Sequence, residues 1–231
     1  RHEGEVAMPP SAIAANRKIS AYIGDLIEAR RTDPGDDLIS IVLQATFHDP
    51  EIGDDRALTP HEVLMFCNLL SAAGSETTQK LISNGLVAMH DHPDQWQRIV
   101  KDHSLIPAAV NEALRYDTPS HWVARTLTRP VELHGVTMEA GDWVLLLLGS
   151  ANRDERRYDD PDRFILDRPR GTDVYFGWGI HICLGQWLAR REAQMVFEAV
   201  AKKFPNYGIG AHERVLTATV RGYTSVEMML R

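Results

Sequence analysis

The sequence predicts a mainly α-helical fold with small β-sheets. Apolar residues recur at helical spacing from residue 11 to 32, a long capped helical run starts at Thr59, and short β-branched runs take over after Val123. In the first segment Ile13, Ile19, Ile23, Leu26 and Ile27 fall between charged positions, the pattern of an amphipathic helix. "DPGDD" breaks that helix, Leu38 to Phe47 carries a shorter helical pattern, and the polar "HDPEIGDDRA" reads as a loop.

"TPHE" opens the long helix. Thr59 suits the N-cap, Pro60 the first helical position, and Glu62 can return its side chain to the cap N–H. The run can reach His90, roughly 45 Å at 1.5 Å per residue. From Val63 to Ala73 it is apolar on nearly every side, which predicts a helix buried through a domain. "QWQRIVKD" and "IPAAVNEALRYDTP" read as two more helices, the second ending before Thr118 and Pro119. "VARTL" through "VELHGVTMEAGDWVLLLL" reads as strands, with turns at His134-Gly135 and Ala140-Gly141. The polar connection "ANRDERRYDDPDRFILDRPRG" is anchored by Phe164 and Ile165. "CLGQWLARREAQMVFEAVAKKF" is a last amphipathic helix, and "VLTATVRGYTSVEMML" closes as strands.

Composition narrows the function classes. With 231 residues, 44% of them hydrophobic, the chain can bury a sizeable core. A formal charge of −7 with no basic stripe argues against a nucleic-acid partner. The longest purely apolar run, Val144 to Leu148, is too short to cross a bilayer, and "RHEGEVAMPP" lacks the apolar middle of a signal peptide. Cys67 and Cys183 make no disulfide framework and suit a reducing, cytoplasmic setting. A start at Arg1 rather than Met predicts a piece of something longer.

Two stretches carry chemistry. In "AAGSETTQK" a glycine, an acid and two threonines interrupt the apolar helix. One reading pairs Glu76 with Lys80 at i,i+4 and lets Gly74 admit a neighbouring helix. The other sets the hydroxyls beside a ligand, with Ala73 and Thr77 on one stripe and Glu76 feeding protons. In "YFGWGIHICLGQW" Cys183 sits where a glycine-rich loop enters a helix, and a helix N-terminus favours a thiolate. His181 is a candidate base for a nucleophile, but the loop has the form of no acyl-transfer elbow. Zinc would need more N/S ligands than His181 and Cys183. One thiolate does suffice for an iron held in a porphyrin, and glycines at 177, 179 and 185 let the backbone approach a flat ring.

"FGWGIHICLG" resembles the heme-binding signature of the cytochrome P450 monooxygenases, with Phe176, Gly179, Cys183 and Gly185 at its fixed positions. "AGSETT" resembles the family's oxygen-activating segment, "EALR" its E-x-x-R helix, and Arg163 in "DPDRF" the arginine that joins Glu112 and Arg115 in a buried triad. The resemblance implies the later part of that fold, from about the G helix onward, with residues 1–231 as a C-terminal heme-binding portion and the N-terminal portion absent. It implies heme b, Cys183 as the metal ligand, Phe176, Gly177 and Gly185 around the sulfur, and Arg125 and His181 on the propionates. Glu76 and Thr77 become the catalytic acid and alcohol, Ala73 lies at the heme and substrate face, and Trp122, Val123 and Val220 line the substrate. A small apolar substrate, O2, a ferredoxin and its reductase follow as partners; Arg190 and Arg191 read either as part of a basic docking face or as solvated surface. The alternative is a non-catalytic, heme-free fragment that hides its open pocket by self-association.

Overall fold

A computed structural model describes residues 9–169, 171, 173–215, 217 and 219–231. The chain divides into two compact units, Arg1–Ala73 and Gly74–Arg231. Residues 1–8 of the "RHEGEVAMPP" stretch, and Leu216 and Ala218 of the predicted closing strands, lie outside the described residues.

The first unit holds α1 (Pro10–Thr32), α2 (Leu38–Gln44), a hairpin of β1 (Thr46–Asp49) and β2 (Asp54–Ala57), and the start of α3 (Pro60–Asp91). Its core is Ile23, Ile27, Val42 and Val63. Only the C-terminal half of the α1 stripe is covered, since Ile13 and Ile19 remain exposed. Asp37 caps α2 by accepting from Ser40 N at 2.9 Å and pairs with Arg30. The hairpin corrects the predicted loop, and α2 stops three residues short of Phe47. "TFHD" and "DDRA" show no apolar alternation, so backbone pairing across the Gly53 turn rather than side-chain pattern defines them.

α3 starts as its sequence requires. Thr59 N donates to Glu62 Oε2 at 2.7 Å, and Glu62 N donates to Thr59 Oγ1 at 3.2 Å, a reciprocal capping box. Arg56 holds the same carboxylate with two bonds of 2.8 Å. The expectation of a buried helix holds for most of the stretch from Thr78 to Met89, with Gln79 exposed and Ile82 and Ser83 half-buried. Met65, Leu69 and the whole segment Ser71–Glu76 are exposed. All-round apolarity says that a helix needs cover, not which element supplies it.

In the second unit the remainder of α3 packs with α4 (Pro93–Lys101), α5 (Ile106–Tyr116) and α7 (Gln186–Lys203) around Leu81, Met89, Ile99, Val110, Phe164 and Phe197. Each such side chain contributes about 1.5–3 kcal/mol by leaving water. Gly85 lets α3 approach closely, because a Cβ there would strike the Phe197 ring and lie 3.2 Å from the Ala113 methyl. The small sheets are antiparallel pairs: β3 (Val123–Thr126) with β6 (Trp143–Leu146), β4 (Val131–Leu133) with β5 (Val136–Met138), and β7 (Gly208–Arg214) with β8 (Tyr223–Met229). His134 and Gly135 both take positive φ, 52° and 77°, as a two-residue hairpin turn demands. α6 (Leu148–Ala151) follows β6. β7 was not expected; of the predicted closing strands the described residues show β8 and one isolated bridge, Ser120 to Val220.

Candidate functional site

The loop before α7 is built to expose one sulfur. Phe176 O receives the Cys183 amide at 2.9 Å, Gly177 N donates to Val174 O at 2.8 Å, and Ile182 N to Gly179 O at 3.0 Å. The path requires left-handed backbone at Gly177 (φ 75°) and Gly179 (φ 72°), where a side chain would be strained. Gly185 caps α7, so Cys183 lies just before a helix start with its thiol exposed. His181, in a short 3-10 turn, is exposed, and Ile180 is 97% exposed.

On α3, Ala73 and Glu76 are exposed and Thr77 is half-buried. Gly74 has open space where a Cβ would stand, so it does not serve to admit a neighbouring helix. Lys80 is buried with its ammonium donating to Tyr223 O at 2.6 Å, which removes the expected pairing with Glu76. On β3, Val123 faces Leu146 and Arg125 faces Val144. Arg125 is exposed and donates to Ala124 O at 2.7 Å, leaving further guanidinium donors for another group. The Ser120–Val220 bridge and the bond from His121 N to Thr219 O (3.0 Å) set Val220 alongside the strand leading to Trp122 and Val123, all three half-buried.

The buried triad needs a correction. Glu112, 4% exposed, takes Arg115 Nε and Nη2 at 2.8 Å each and Ile165 N at 2.9 Å. Its second arginine is Arg168, Nε at 3.0 Å and 11% exposed. Arg163 is 67% exposed, pairs at 3.9 Å with Asp160 among the described residues, and joins the cluster through its carbonyl, which accepts from Arg115 and Arg168 at 3.0 Å. The turn at Asp160, with φ at 45°, precedes the exposed Arg163 side chain. Sequence reasoning missed Arg168. A run with arginines at 163, 168 and 170 does not show which of them reaches a buried carboxylate.

The sequence model of the cytochrome P450 family matches residues 12–205. The chain belongs to the cytochrome P450 family. It is similar to cytochrome P450 123 of Mycobacterium tuberculosis, 39% identical over 234 residues that cover 100% of this chain and 57% of that protein. The steroid C26-monooxygenase of Mycolicibacterium smegmatis is 37% identical over 185 residues, 80% of this chain and 45% of that protein. Among solved structures, CYP109E1 of Bacillus megaterium in complex with testosterone superposes with a TM-score of 0.88 at 33% identity, covering 95% of this chain and 60% of that one. The chain therefore spans about half the length of the curated relatives it matches.

The family's cofactor is heme b, and this P450 chain's residues fit it. The Cys183 thiol is exposed, and the loop around it is thinned by glycines. Beyond its chain neighbours, nothing lies within 4 Å of a Cβ built at Gly179 or Gly185, so the loop leaves open space at both glycines. Among the described residues no group of three or more His, Cys, Asp and Glu side chains is placed to hold a metal ion. No helix among the described residues is long and apolar enough to cross a membrane.

Proposed function

We propose that residues 1–231 are the C-terminal, heme-binding portion of a heme-thiolate monooxygenase, with Cys183 as the iron ligand. The observation that carries this reading is the exposed Cys183 thiol, on a loop with two left-handed glycines and an amide tied to Phe176 O, at the entrance to α7. Heme, when bound, supplies the oxygen-activating redox chemistry. The protein residues do the rest. With a heme covering the exposed sulfur, Cys183 would donate electron density as a thiolate, and Phe176, Gly177 and Gly185 would limit its hydrogen bonding to water. Arg125 and His181 offset the propionate charges. Glu76 and Thr77 hold and pass protons, the acid from an exposed position and the alcohol from the adjoining half-buried one.

Ala73, Trp122, Val123 and Val220 give an apolar wall that suits a small apolar substrate and excludes water. Relatives with a steroid in their names support that class. Electrons come from a ferredoxin and its reductase in a cytoplasmic setting, which suits the two unpaired cysteines. Cys183→Ser tests the central assignment: the thiolate-type carbon monoxide difference spectrum of the reduced protein disappears, and its survival refutes the ligand role.

A second reading has its own observation. Trp143, Leu145, Leu146, Leu147, Leu184 and Trp187 are all exposed, which favours self-association of a heme-free chain. An absorption spectrum of the purified protein beside a solution mass separates the two. A Soret band supports the first reading, and a colourless oligomer supports the second.

A further inference from the structure

Arg190 is bound up in aromatic contacts instead of standing free as a docking cation. Its guanidinium carbon lies 4.5 Å from the Phe176 ring centre, 5.4 Å from Trp187 and 5.9 Å from Tyr175. Tyr175 in turn meets Phe176 edge-on, with centroids 5.3 Å apart. The guanidinium edge is tethered as well: Nε donates to Asn111 Oδ1 at 3.3 Å, and Nη1 to Gln186 Oε1 at 3.0 Å and Gln186 O at 3.4 Å. Among the described residues no carboxylate forms a salt bridge with it. Its positive charge is directed at ring faces, and its plane is fixed by α5 through Asn111 and by the first turn of α7 through Gln186.

We infer that Arg190 is a positioning residue: by clamping the Phe176 ring it fixes the carbonyl that receives the Cys183 amide, and so sets where the Cys183 sulfur is presented. The chain of contacts is short. Arg190 holds the ring of Phe176, and Phe176 O holds Cys183 N at 2.9 Å; the segment between them turns at the left-handed Gly177 and Gly179 and carries one internal backbone bond, Ile182 N to Gly179 O at 3.0 Å. A lysine cannot replace this, because an ammonium lacks the flat face and the forked edge that stack and tether at once. The consequence for heme rests on the proposed role of Cys183, whereas the clamp itself can be read without heme.

The test is amide hydrogen exchange at Cys183 in the heme-free chain, with the thermal midpoint measured beside it. In Arg190→Gln the Cys183 amide exchanges about tenfold faster or more, as expected for the loss of a partly desolvated cation–π contact, while the midpoint stays near wild type. Arg190→Lys gives the same acceleration. In the heme-loaded protein both variants lower the share of the reduced carbon monoxide complex that shows the thiolate-type band. Wild-type exchange in Arg190→Gln overturns the inference, and full rescue by Arg190→Lys overturns the stacked clamp in favour of charge alone. If Arg190→Gln does not fold, Gln186→Ala removes one tether and raises exchange at the same amide about threefold, the effect of one lost hydrogen bond. No change there counts against the clamp. Failure of Cys183→Ser to remove the thiolate-type spectrum would sink the ligand reading and leave the exchange result standing.

Discussion

Glu112 receives four donors on two oxygens, and that density decides how the cluster responds to mutation. Arg115 uses its remaining donors on the carbonyls of Asn152, Pro161 and Arg163, so one buried ion pair ties α5 to the connection that follows α6. Removing one member of such a pair strands the other charge, at a cost of about 3–5 kcal/mol. Arg168→Ala takes away one of the carboxylate's two arginines and its bonds to Asp159 and Asp160, and is expected to cost about 1–3 kcal/mol. Arg163→Ala keeps the carbonyl that matters and is expected to stay within about 0.5 kcal/mol of wild type. Urea unfolding of the two variants checks the ranking, and equal losses would return Arg163 to the cluster. The E-x-x-R spacing was legible because three residues along a helix bring side chains to one face. The identity of the second arginine was not, since it depends on how an irregular segment folds back.

Along α3 two glycines with the same helical penalty have opposite surroundings. Gly85 is buried against Phe197 and Ala113, and the fully buried Phe197 ring has no room to retreat. Gly85→Ala is therefore expected to destabilise by about 1–3 kcal/mol, the overpacking cost outweighing the gain in helix propensity. Gly74 meets nothing within 4 Å, so Gly74→Ala is expected to stabilise the chain by about 0.5–1 kcal/mol. Thermal unfolding of both variants gives the signs, and a stabilised Gly85→Ala would mean that the helices are not in contact there. Local signals announced this element well: the Thr59–Glu62 capping box forms as its sequence spacing requires. Burial along it was less legible. Periodicity marked residues 63–73 as apolar all round, yet much of that stretch is exposed, whereas the covered part begins among the polar residues Thr78 and Lys80.

Acid sensitivity is a property of the molecule as a whole, and two groups of residues set its windows. Burial pushes the His121 pKa below its ordinary value, and the charges of Arg221, Arg214 and Arg153 push the same way against the opposing pull of Asp117. A histidine kept neutral by folding protonates first in the unfolded chain, so its contribution is intact above pH about 6.5 and drains away as pH falls below it. The carboxylates behave differently. Asp37, held by Arg30 and Ser40, and Asp154, held by Arg156, are each lowered to about 2. Their stabilisation is present above the ordinary aspartate range and is lost only as pH falls from about 4 toward 2. Stability should therefore fall in two steps, the first near neutrality and the second in strong acid. All five tryptophans, at 96, 122, 143, 178 and 187, lie in the second unit with His121, so their fluorescence during urea unfolding reports the unit in which that histidine acts. Between pH 7.5 and 5.5 the wild-type midpoint is expected to drop, and His121→Gln to flatten that drop while leaving the strong-acid step unchanged. A His121→Gln profile parallel to wild type across the neutral window would show that other groups carry it.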